Sequence, residues 1–175
     1  MKKVKFDARY GHMQALVLGK KTQFHSVEFN LIRYFANHYP SAKVESLDIP
    51  VDFGEKDTIT IHLTDGASFQ YNPKYRIGEI LKVTNTNVEI RITGIRIERL
   101  CNPTAQDVLN EGFDIIRNDG VKYYCYFDLD ELSLIHFRSH HQTWISQLYR
   151  LYDSDLVLNN PYTVVYEFEL MRSEM

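Results

Sequence analysis

The sequence predicts an α+β fold, a single domain over residues 1–175 with a mixed or barrel-like sheet. A chain of 175 residues is long enough for one well-buried domain and short for two. Its 12 tyrosines and 10 phenylalanines favour strands over a helical bundle. Strand-like and helix-like periodicities follow one another along the chain without an internal repeat or a linker. This order of elements predicts the α+β class.

The first elements are a strand, a helix and a second strand. Residues 3–6 alternate charged and apolar side chains, as a strand does. Apolar residues then recur at helical spacing (Met13, Leu16, Val17), and Gly19 stands where helices commonly end on glycine. Residues 22–29 favour β structure and predict the second strand.

Residues 30–72 are the least regular part of the sequence, and we interpret them as an insertion into the domain. Within them, residues 31–39 predict a short amphipathic helix that Pro40 ends. Residues 58–63 predict a strand before a turn at Asp65 and Gly66. A further strand is predicted at residues 80–83, after the insertion.

In the next predicted strand, the alternation of apolar and polar residues changes phase. Apolar residues occupy even positions from Val88 to Ile92 but odd positions at Ile95 and Ile97. Strand side chains alternate with a period of two, so both halves can face the core only if one extra residue is inserted. Gly94 lies at the change, and glycine is typical of a β-bulge. We therefore expect one long bent strand.

The C-terminal part predicts two helices and a final strand. Either Asn102 or Thr104 can cap a short helix that ends at residues 111–112. A one-sided apolar stripe over residues 144–151 predicts a longer helix. Alternation over residues 164–170 predicts a half-buried strand.

Composition and charge exclude some classes of protein. The net charge of -3 argues against broad non-specific binding to nucleic acid, although one local basic face is compatible with it. The two cysteines have neither the spacing of metal ligands nor that of a disulfide framework. No stretch approaches the length of a membrane span, and the N-terminus has no apolar signal core, so we expect a cytoplasmic protein without membrane contact. The acidic run at residues 128–131 predicts a solvated helix start.

The segment from Leu18 to Gln23 is the leading candidate for a site. It places a glycine, two lysines, a threonine and a glutamine directly after a helix. A helix that ends on glycine holds the following lysines at a fixed point of the fold, which suits an anionic or carbonyl-bearing ligand. The same lysines can also be a solvated pair that interacts only with the helix dipole.

Several segments, taken in order, resemble one known family. They are LGKKTQ at 18–23, YRIGE at 75–79, ITGIRIERL at 92–100, DVLNEG at 107–112, and NPY leading into VVYEF at 160–168. Together they resemble the ASCH domain of the PUA-like superfamily, and in particular the ASCH-like proteins of phages and prophages. The resemblance does not account for the insertion or for residues 113–132.

The resemblance implies a compact pseudo-β-barrel with flanking helices and a cleft between the lysine-bearing loop and the helix end at residue 111. PUA-like domains generally bind RNA or modified nucleobases, and one ASCH branch hydrolyses N4-acetylcytidine with a lysine, a threonine and a glutamate. At matching positions this chain has Lys21 and Glu111, but Phe24 replaces the threonine and cannot act as a nucleophile. His25 and Ser26 stand where the family usually has arginines.

From this resemblance we expect a domain that recognises RNA or a modified nucleobase or nucleoside, with no cofactor and no metal. Lys21 would contact a phosphate or carbonyl, and Glu111 would accept a hydrogen bond from an amine. Gln23 and His25 would set selectivity. The remaining predicted ligand-binding residues are Lys20, Thr22, Tyr75 and Arg96.

Two alternatives stay open. The first is a small amidohydrolase acting on an N4-acylated cytidine-type nucleoside, with Lys21 and Glu111 as the catalytic pair and Thr22 or Ser26 as a substitute hydroxyl. The second is a non-enzymatic phage accessory protein that binds a protein partner through the 30–72 insertion.

Two further clusters have both a functional and a structural interpretation. Arg91, Arg96 and Arg99, with aromatic neighbours, suit single-stranded bases, but the interleaved glutamates equally predict cross-strand ion pairs. His136 and His140 are one helical turn apart, a spacing that two metal ligands on one helix face can have. No cysteine or carboxylate at a suitable spacing completes that site, so we interpret these histidines as a surface cluster.

Overall fold

Runs of strands are separated by helices in the computed structural model, which describes residues 1–54 and 57–171. The strands are β1 (Lys3–Val4), β2 (Gln23–Ser26), β3 (Val44–Asp48), β4 (Ile59–Leu63), β5 (Ser68–Tyr71), β6 (Ile80–Val83), β7 (Glu89–Arg99), β8 (Asp114–Asn118), β9 (Val121–Asp128), β10 (Ser133–Phe137) and β11 (Tyr162–Met171). The helices are α1 (His12–Val17), α2 (Phe29–His38), α3 (Ala105–Asn110), α4 (His140–Leu151) and α5 (Ser154–Asn159). The predicted α+β class is confirmed.

The central sheet contains five strands in the order β1-β6-β7-β11-β2. β1 runs parallel to β6, and the other neighbours are antiparallel. β3-β4-β5 and β10-β9-β8 form two separate three-stranded sheets. Over the described residues the strands do not close into a barrel, so the pseudo-barrel that the resemblance implies is not confirmed.

The long strand β7 is bulged, as the change of phase predicts. Glu167 of β11 lies opposite Gly94, and the next residue, Phe168, lies opposite Ile92. Thr93 is therefore the extra residue, and it is exposed whereas Ile92 is fully buried. The insertion of one residue lets the apolar side chains on both sides of the bulge face the core.

The described core has two clusters of buried residues. The first joins the central sheet to the 30–72 segment, whose α2 contributes Leu31 and whose β4 contributes Ile59, both fully buried. The second joins α3, α4 and β9, with Trp144 near its centre. The 30–72 segment is therefore packed into the main core rather than appended to it. No helix in the described parts of the chain is long and apolar enough to cross a membrane.

The prediction of a helix start at residues 128–131 is wrong. Asp128 ends β9, and the chain then turns into β10. Asp128 is buried, and it accepts hydrogen bonds from Arg150 Nε at 3.0 Å and from the backbone N–H of Asp130 at 3.0 Å. An aspartate caps a turn by the same side-chain-to-backbone bond with which it caps a helix, so the sequence pattern fits both.

The two histidines considered for a metal site lie on different elements. His136 is on β10 and His140 begins α4, so the helical spacing that the sequence suggests does not exist.

Candidate functional site

Two helix ends lie side by side at the edge of the central sheet. α1 ends before Gly19, which has a φ of 71°, and the backbone N–H groups of both following lysines then bond to the carbonyl of Ala15. α3 begins at Thr104, which forms a capping box with Asp107. The ends of α1 and α3 are joined by a hydrogen bond of 2.7 Å from the Thr22 N–H to the Asn110 carbonyl. This arrangement brings Lys21 next to the residue that ends α3.

Glu111 is that residue, and its carboxylate bridges Lys21 and His25. Lys21 Nζ lies 2.9 Å from Glu111 Oε2 and 2.8 Å from the Glu111 carbonyl oxygen. His25 Nδ1 lies 2.5 Å from Glu111 Oε1. The side chains of Lys21, His25 and Glu111 are 2%, 3% and 5% exposed. We call these three residues the ionic cluster.

The ionic cluster holds charge away from water. Burial alone would raise the pKa of Glu111, but the charges and hydrogen bonds of Lys21 and His25 outweigh burial and lower that pKa to about 2. Burial lowers the pKa of Lys21, and the carboxylate of Glu111 offsets part of that change. Glu111 is therefore ionised at neutral pH and acts as the acceptor for both of its partners.

His12 is a fourth member of this region, and no sequence pattern predicts its place there. Its Nδ1 lies 3.3 Å from the carbonyl oxygen of Glu111, so this nitrogen carries the proton and donates it. Burial and the charge of Lys21 lower the pKa of His12 to about 4. His12 is thus neutral at pH 7 and supports the helix end without adding charge.

The tautomer of His25 follows from its partner. Because the ionised Glu111 can only accept, His25 Nδ1 is the donor, and Nε2 of a neutral ring is an acceptor. This Nε2 is buried and has no hydrogen-bond partner among the described residues. The ring also lies against Trp144, with 4.9 Å between the ring centroids.

Gln23 presents a second unpartnered group on the same face of β2. Residues two apart on a strand share a face, so Gln23 and His25 both point away from Phe24. Gln23 Oε1 accepts from Arg96 Nη2 at 3.3 Å, which leaves its Nε2 amide as a buried donor with no partner among the described residues. β2 thus carries a donor and an acceptor side by side.

Phe24 belongs to the opposite face of β2 and to the core. Its ring packs against those of Phe6, Tyr75, Tyr166 and Phe168, with centroid distances from 5.3 to 6.1 Å. The position of the family's threonine is therefore occupied by a core aromatic residue.

A cavity of about 530 Å³ adjoins the ionic cluster at the edge of β2. His25 and Ser26 of β2 line it, and so does Tyr152 from the end of α4. The pKa of Tyr152 is raised to about 12, mainly by burial and also by the charge of Glu111, which places Tyr152 close to both cavity and cluster. Together with Val4, Val27 and Thr84, three lysines and three further aromatic residues also line it: Lys3, Lys5, Lys74, Phe24, Phe29 and Tyr75. We call this space the His25 cavity.

The other predicted ligand-binding residues lie in different surroundings. Lys20 forms an ion pair of 2.9 Å with Asp114 and lines a separate cavity of about 430 Å³ between α1 and the β8–β10 sheet. Thr22 is exposed. Tyr75 is 2% exposed, and its hydroxyl donates to the Lys3 carbonyl at 3.1 Å.

Arg96 is matched by acidic groups rather than left available for phosphate. It pairs with Glu98, Asp107 and Glu167 at 3.2, 3.0 and 2.9 Å. Arg91 likewise pairs with Glu169 at 3.3 Å. Cross-strand ion pairs are therefore present, but their glutamates are Glu167 and Glu169 of β11. The interleaved Glu98 instead pairs with Arg96 on its own strand. The role of Arg96 in the site is to hold Gln23.

The described residues contain no group of three or more His, Cys, Asp and Glu side chains that could hold a metal ion. Comparison with family models, with curated proteins and with solved structures found no match for this chain. The case for a function therefore depends on the geometry of the site.

Proposed function

We propose that this protein binds a nucleobase, as part of RNA or as a nucleoside, in the His25 cavity. The observation that carries the proposal is the meeting of three features at one place. Lysines for phosphate and the rings of Phe29 and Tyr152 for stacking line the cavity, and the histidine at its wall is held by a buried carboxylate. Cations beside aromatic rings suit single-stranded nucleic acid and single nucleotides.

The donor and the acceptor on β2 supply the base contacts in this proposal. His25 lines the cavity, and its Nε2 accepts when the ring is neutral. Gln23 Nε2, on the same face of β2 but not among the lining residues, donates, and both nitrogens are without partners among the described residues. An amino group beside a ring nitrogen, as on cytosine or adenine, presents the complementary donor and acceptor. We expect Tyr152 to shift when a base reaches these buried groups.

Lys21 and Glu111 have a different role in this proposal from the one the sequence suggests. They are buried and bonded to each other, so they fix the imidazole of His25 rather than meet the ligand. Phosphate contacts fall to Lys3, Lys5 and Lys74, which the sequence did not single out.

Titration with nucleoside monophosphates tests the proposal, with Trp144 as the probe. Trp144 is the chain's one tryptophan and lies against His25, so a ligand that contacts His25 should change its emission. We expect a saturable change with CMP or AMP and an affinity at least about tenfold weaker in His25→Gln, the loss of one buried hydrogen bond to the ligand.

His136→Gln is the matched control, because His136 is exposed on β10, in a different sheet from His25, and its ring contacts Tyr123. It should bind as the wild type does. Absence of binding of any nucleoside monophosphate to the wild-type protein at millimolar concentration would overturn the proposal.

An amidohydrolase is the second candidate, and the buried contact between Lys21 and Glu111 favours it. Burial lowers the pKa of Lys21, which makes its neutral amine more available as a general base near pH 7 than that of a solvated lysine. The test is release of cytidine and acetate from N4-acetylcytidine and water. Turnover by the wild type that is lost in a folded Glu111→Gln variant would establish this activity, and no turnover by the wild type would exclude it for this substrate.

A further inference from the structure

The His25 cavity continues on both sides into neighbouring cavities. On one side it shares Lys3 with a cavity of about 320 Å³ formed by β6 and the turn that follows it. On the other side it shares Ser26, Phe29 and Lys74 with a cavity of about 380 Å³ beside the start of α2. We call the three cavities together the groove.

The groove is basic although the whole chain is acidic. Lys3, Lys5, Lys74 and Lys82 line it, all four are exposed, and none forms an ion pair with a carboxylate anywhere in the described structure. This differs from Arg91 and Arg96, each of which is matched by acids. Unpaired cations in a row along a concave surface favour a ligand with repeated negative charges.

Among the described residues that line the groove, Glu28 is the one acidic residue, and its carboxylate is already hydrogen-bonded within the protein. It accepts hydrogen bonds from the hydroxyls of Tyr71 and Tyr166 at 2.8 and 2.7 Å and from the backbone N–H of Lys74 at 3.0 Å. Glu28 is 9% exposed, so its charge is directed into the protein.

Aromatic rings and asparagine side chains also line the groove, in addition to the lysines. Phe29 is 62% exposed beside the His25 cavity, and Tyr71 lines the far end. Asparagine side chains occur in both outer cavities: Asn30, Asn72, Asn85 and Asn87. Aromatic faces stack on bases, and amides bond to base edges and to the ribose hydroxyl. An acidic peptide would use the lysines but not these other groups.

We infer that the groove binds a single-stranded polynucleotide, with one base in the His25 cavity and the flanking phosphates on the lysines. The inference rests on the proposed function, because the same cavity receives the base. The inference adds that the base in the His25 cavity belongs to an internal nucleotide of a strand rather than to a free nucleoside. Affinity should therefore rise with length until the outer cavities are filled.

Oligonucleotides of increasing length, from a mononucleotide to an octamer, test the inference by fluorescence titration at several salt concentrations. We expect at least about tenfold tighter binding of a tetramer than of a mononucleotide, since added contacts of about 1.4 kcal/mol suffice for that ratio. Lys5→Gln and Lys82→Gln should each reduce the slope of log affinity against log salt by about 0.7. RNA and DNA of the same sequence show whether the ribose hydroxyl contributes.

Lys122→Gln is the matched control, because Lys122 is an exposed lysine on β9, in another sheet, and it too has no acidic partner among the described residues. It should leave the slope unchanged. If mononucleotides bind and affinity does not rise with oligonucleotide length, the inference that the groove binds a polynucleotide is wrong and the proposed function stands. Equal competition by poly-glutamate would also overturn the inference, and failure of every nucleotide to bind would remove both.

Discussion

At the scale of single residues, Glu111 organises the site through both its side chain and its backbone. Its carboxylate accepts from Lys21 and His25, and its carbonyl accepts from Lys21 and His12. A buried ion pair is stable only if its geometry is good and its remaining hydrogen bonds are made, and the loss of one partner leaves an uncompensated buried charge. Glu111 should therefore be among the residues least tolerant of substitution.

Glu111→Gln should destabilise the protein by about 3 kcal/mol at pH 7, because the charge of Lys21 then loses its buried partner. It should also change the response to acid. The pKa of Glu111 is lowered from 4.5 to about 2 in the folded protein, so its contribution is complete above pH 4.5 and is lost as pH falls through about 2. The wild type should lose about 3 kcal/mol over this window through this group, and Glu111→Gln should not.

Urea unfolding at a series of pH values measures both effects. Glu45→Gln serves as control, because Glu45 is exposed on β3 and away from the ionic cluster. Glu45→Gln should leave the free energy of unfolding at pH 7 unchanged and should lose stability in acid as the wild type does. An acid response in Glu111→Gln as steep as that of the wild type would show that other groups cause it.

His12 makes a separate pH prediction. Its pKa is lowered from 6.5 to about 4, so the unfolded chain binds a proton more readily than the folded chain. The free energy of unfolding should therefore fall as pH decreases from about 6.5 to about 4, a step that precedes the loss through Glu111. His12→Asn should remove the upper step and keep the lower one. Two-step acid unfolding that persists in His12→Asn would contradict this assignment.

The residues of the site could be predicted from sequence in part. Lys21, Gln23, His25 and Glu111 were expected at one place, and the structure brings them together. Burial could not be read from the sequence, because Lys21 lies in a polar segment yet is 2% exposed. The groove lysines could not be predicted, because long-range contacts bring them together: the pairing of β1 with β6 places Lys3 opposite Lys82, and the Tyr75 hydroxyl, next to Lys74, donates to the Lys3 carbonyl.

At the scale of elements, the end of α3 depends on close packing at Gly112. Gly112 has a φ of 106°, and a Cβ on it would lie 2.8 Å from the Cβ of Ala15 and 3.4 Å from that of Lys21. Gly112→Ala should thus strain the backbone and push α1 from α3, at a total of about 2 kcal/mol or more. The measurement is the midpoint of thermal unfolding.

Gly120→Ala separates the two causes. Gly120 has a φ of 78° but nothing within 4 Å of the position of a Cβ, so an alanine there is destabilised by backbone strain alone. We expect Gly112→Ala to be the more destabilising of the two. Equal effects would show that contact with Ala15 costs nothing.

Element prediction succeeded where the pattern was periodic and failed where turn residues carried the signal. The bulge of β7 followed from apolar phase alone. The hairpin of β8 and β9 was missed, although Asp119 and Gly120 form its two-residue loop and both have positive φ. Asp-Gly between two strands is a strong hairpin signal, and the mixed residues on both sides hid the strands.

At the scale of the whole molecule, Glu28 fastens the 30–72 segment to the central sheet. It reaches Tyr71 at the end of that segment, the backbone of Lys74 just after it, and Tyr166 of β11. The predicted boundaries of the insertion therefore lie next to one buried carboxylate that ties both of its ends. Because the segment shares the first core cluster, we expect it to unfold together with the rest of the chain.

Glu28→Ala tests this cooperativity, because it removes three hydrogen bonds and leaves the buried Tyr166 hydroxyl without its acceptor. It should destabilise the protein by about 3 kcal/mol or more, and Tyr71→Phe, which removes one of the three bonds, by about 1 kcal/mol. Trp144 lies in the second core cluster, so its fluorescence reports unfolding far from the substitution. Amide exchange of β4 and β5 reports the segment itself. The two probes should shift by the same free energy, since the 30–72 segment and the central sheet share one core cluster and we expect a single transition. Loss of protection in β4 and β5 with an unchanged Trp144 transition would show instead that the 30–72 segment unfolds on its own.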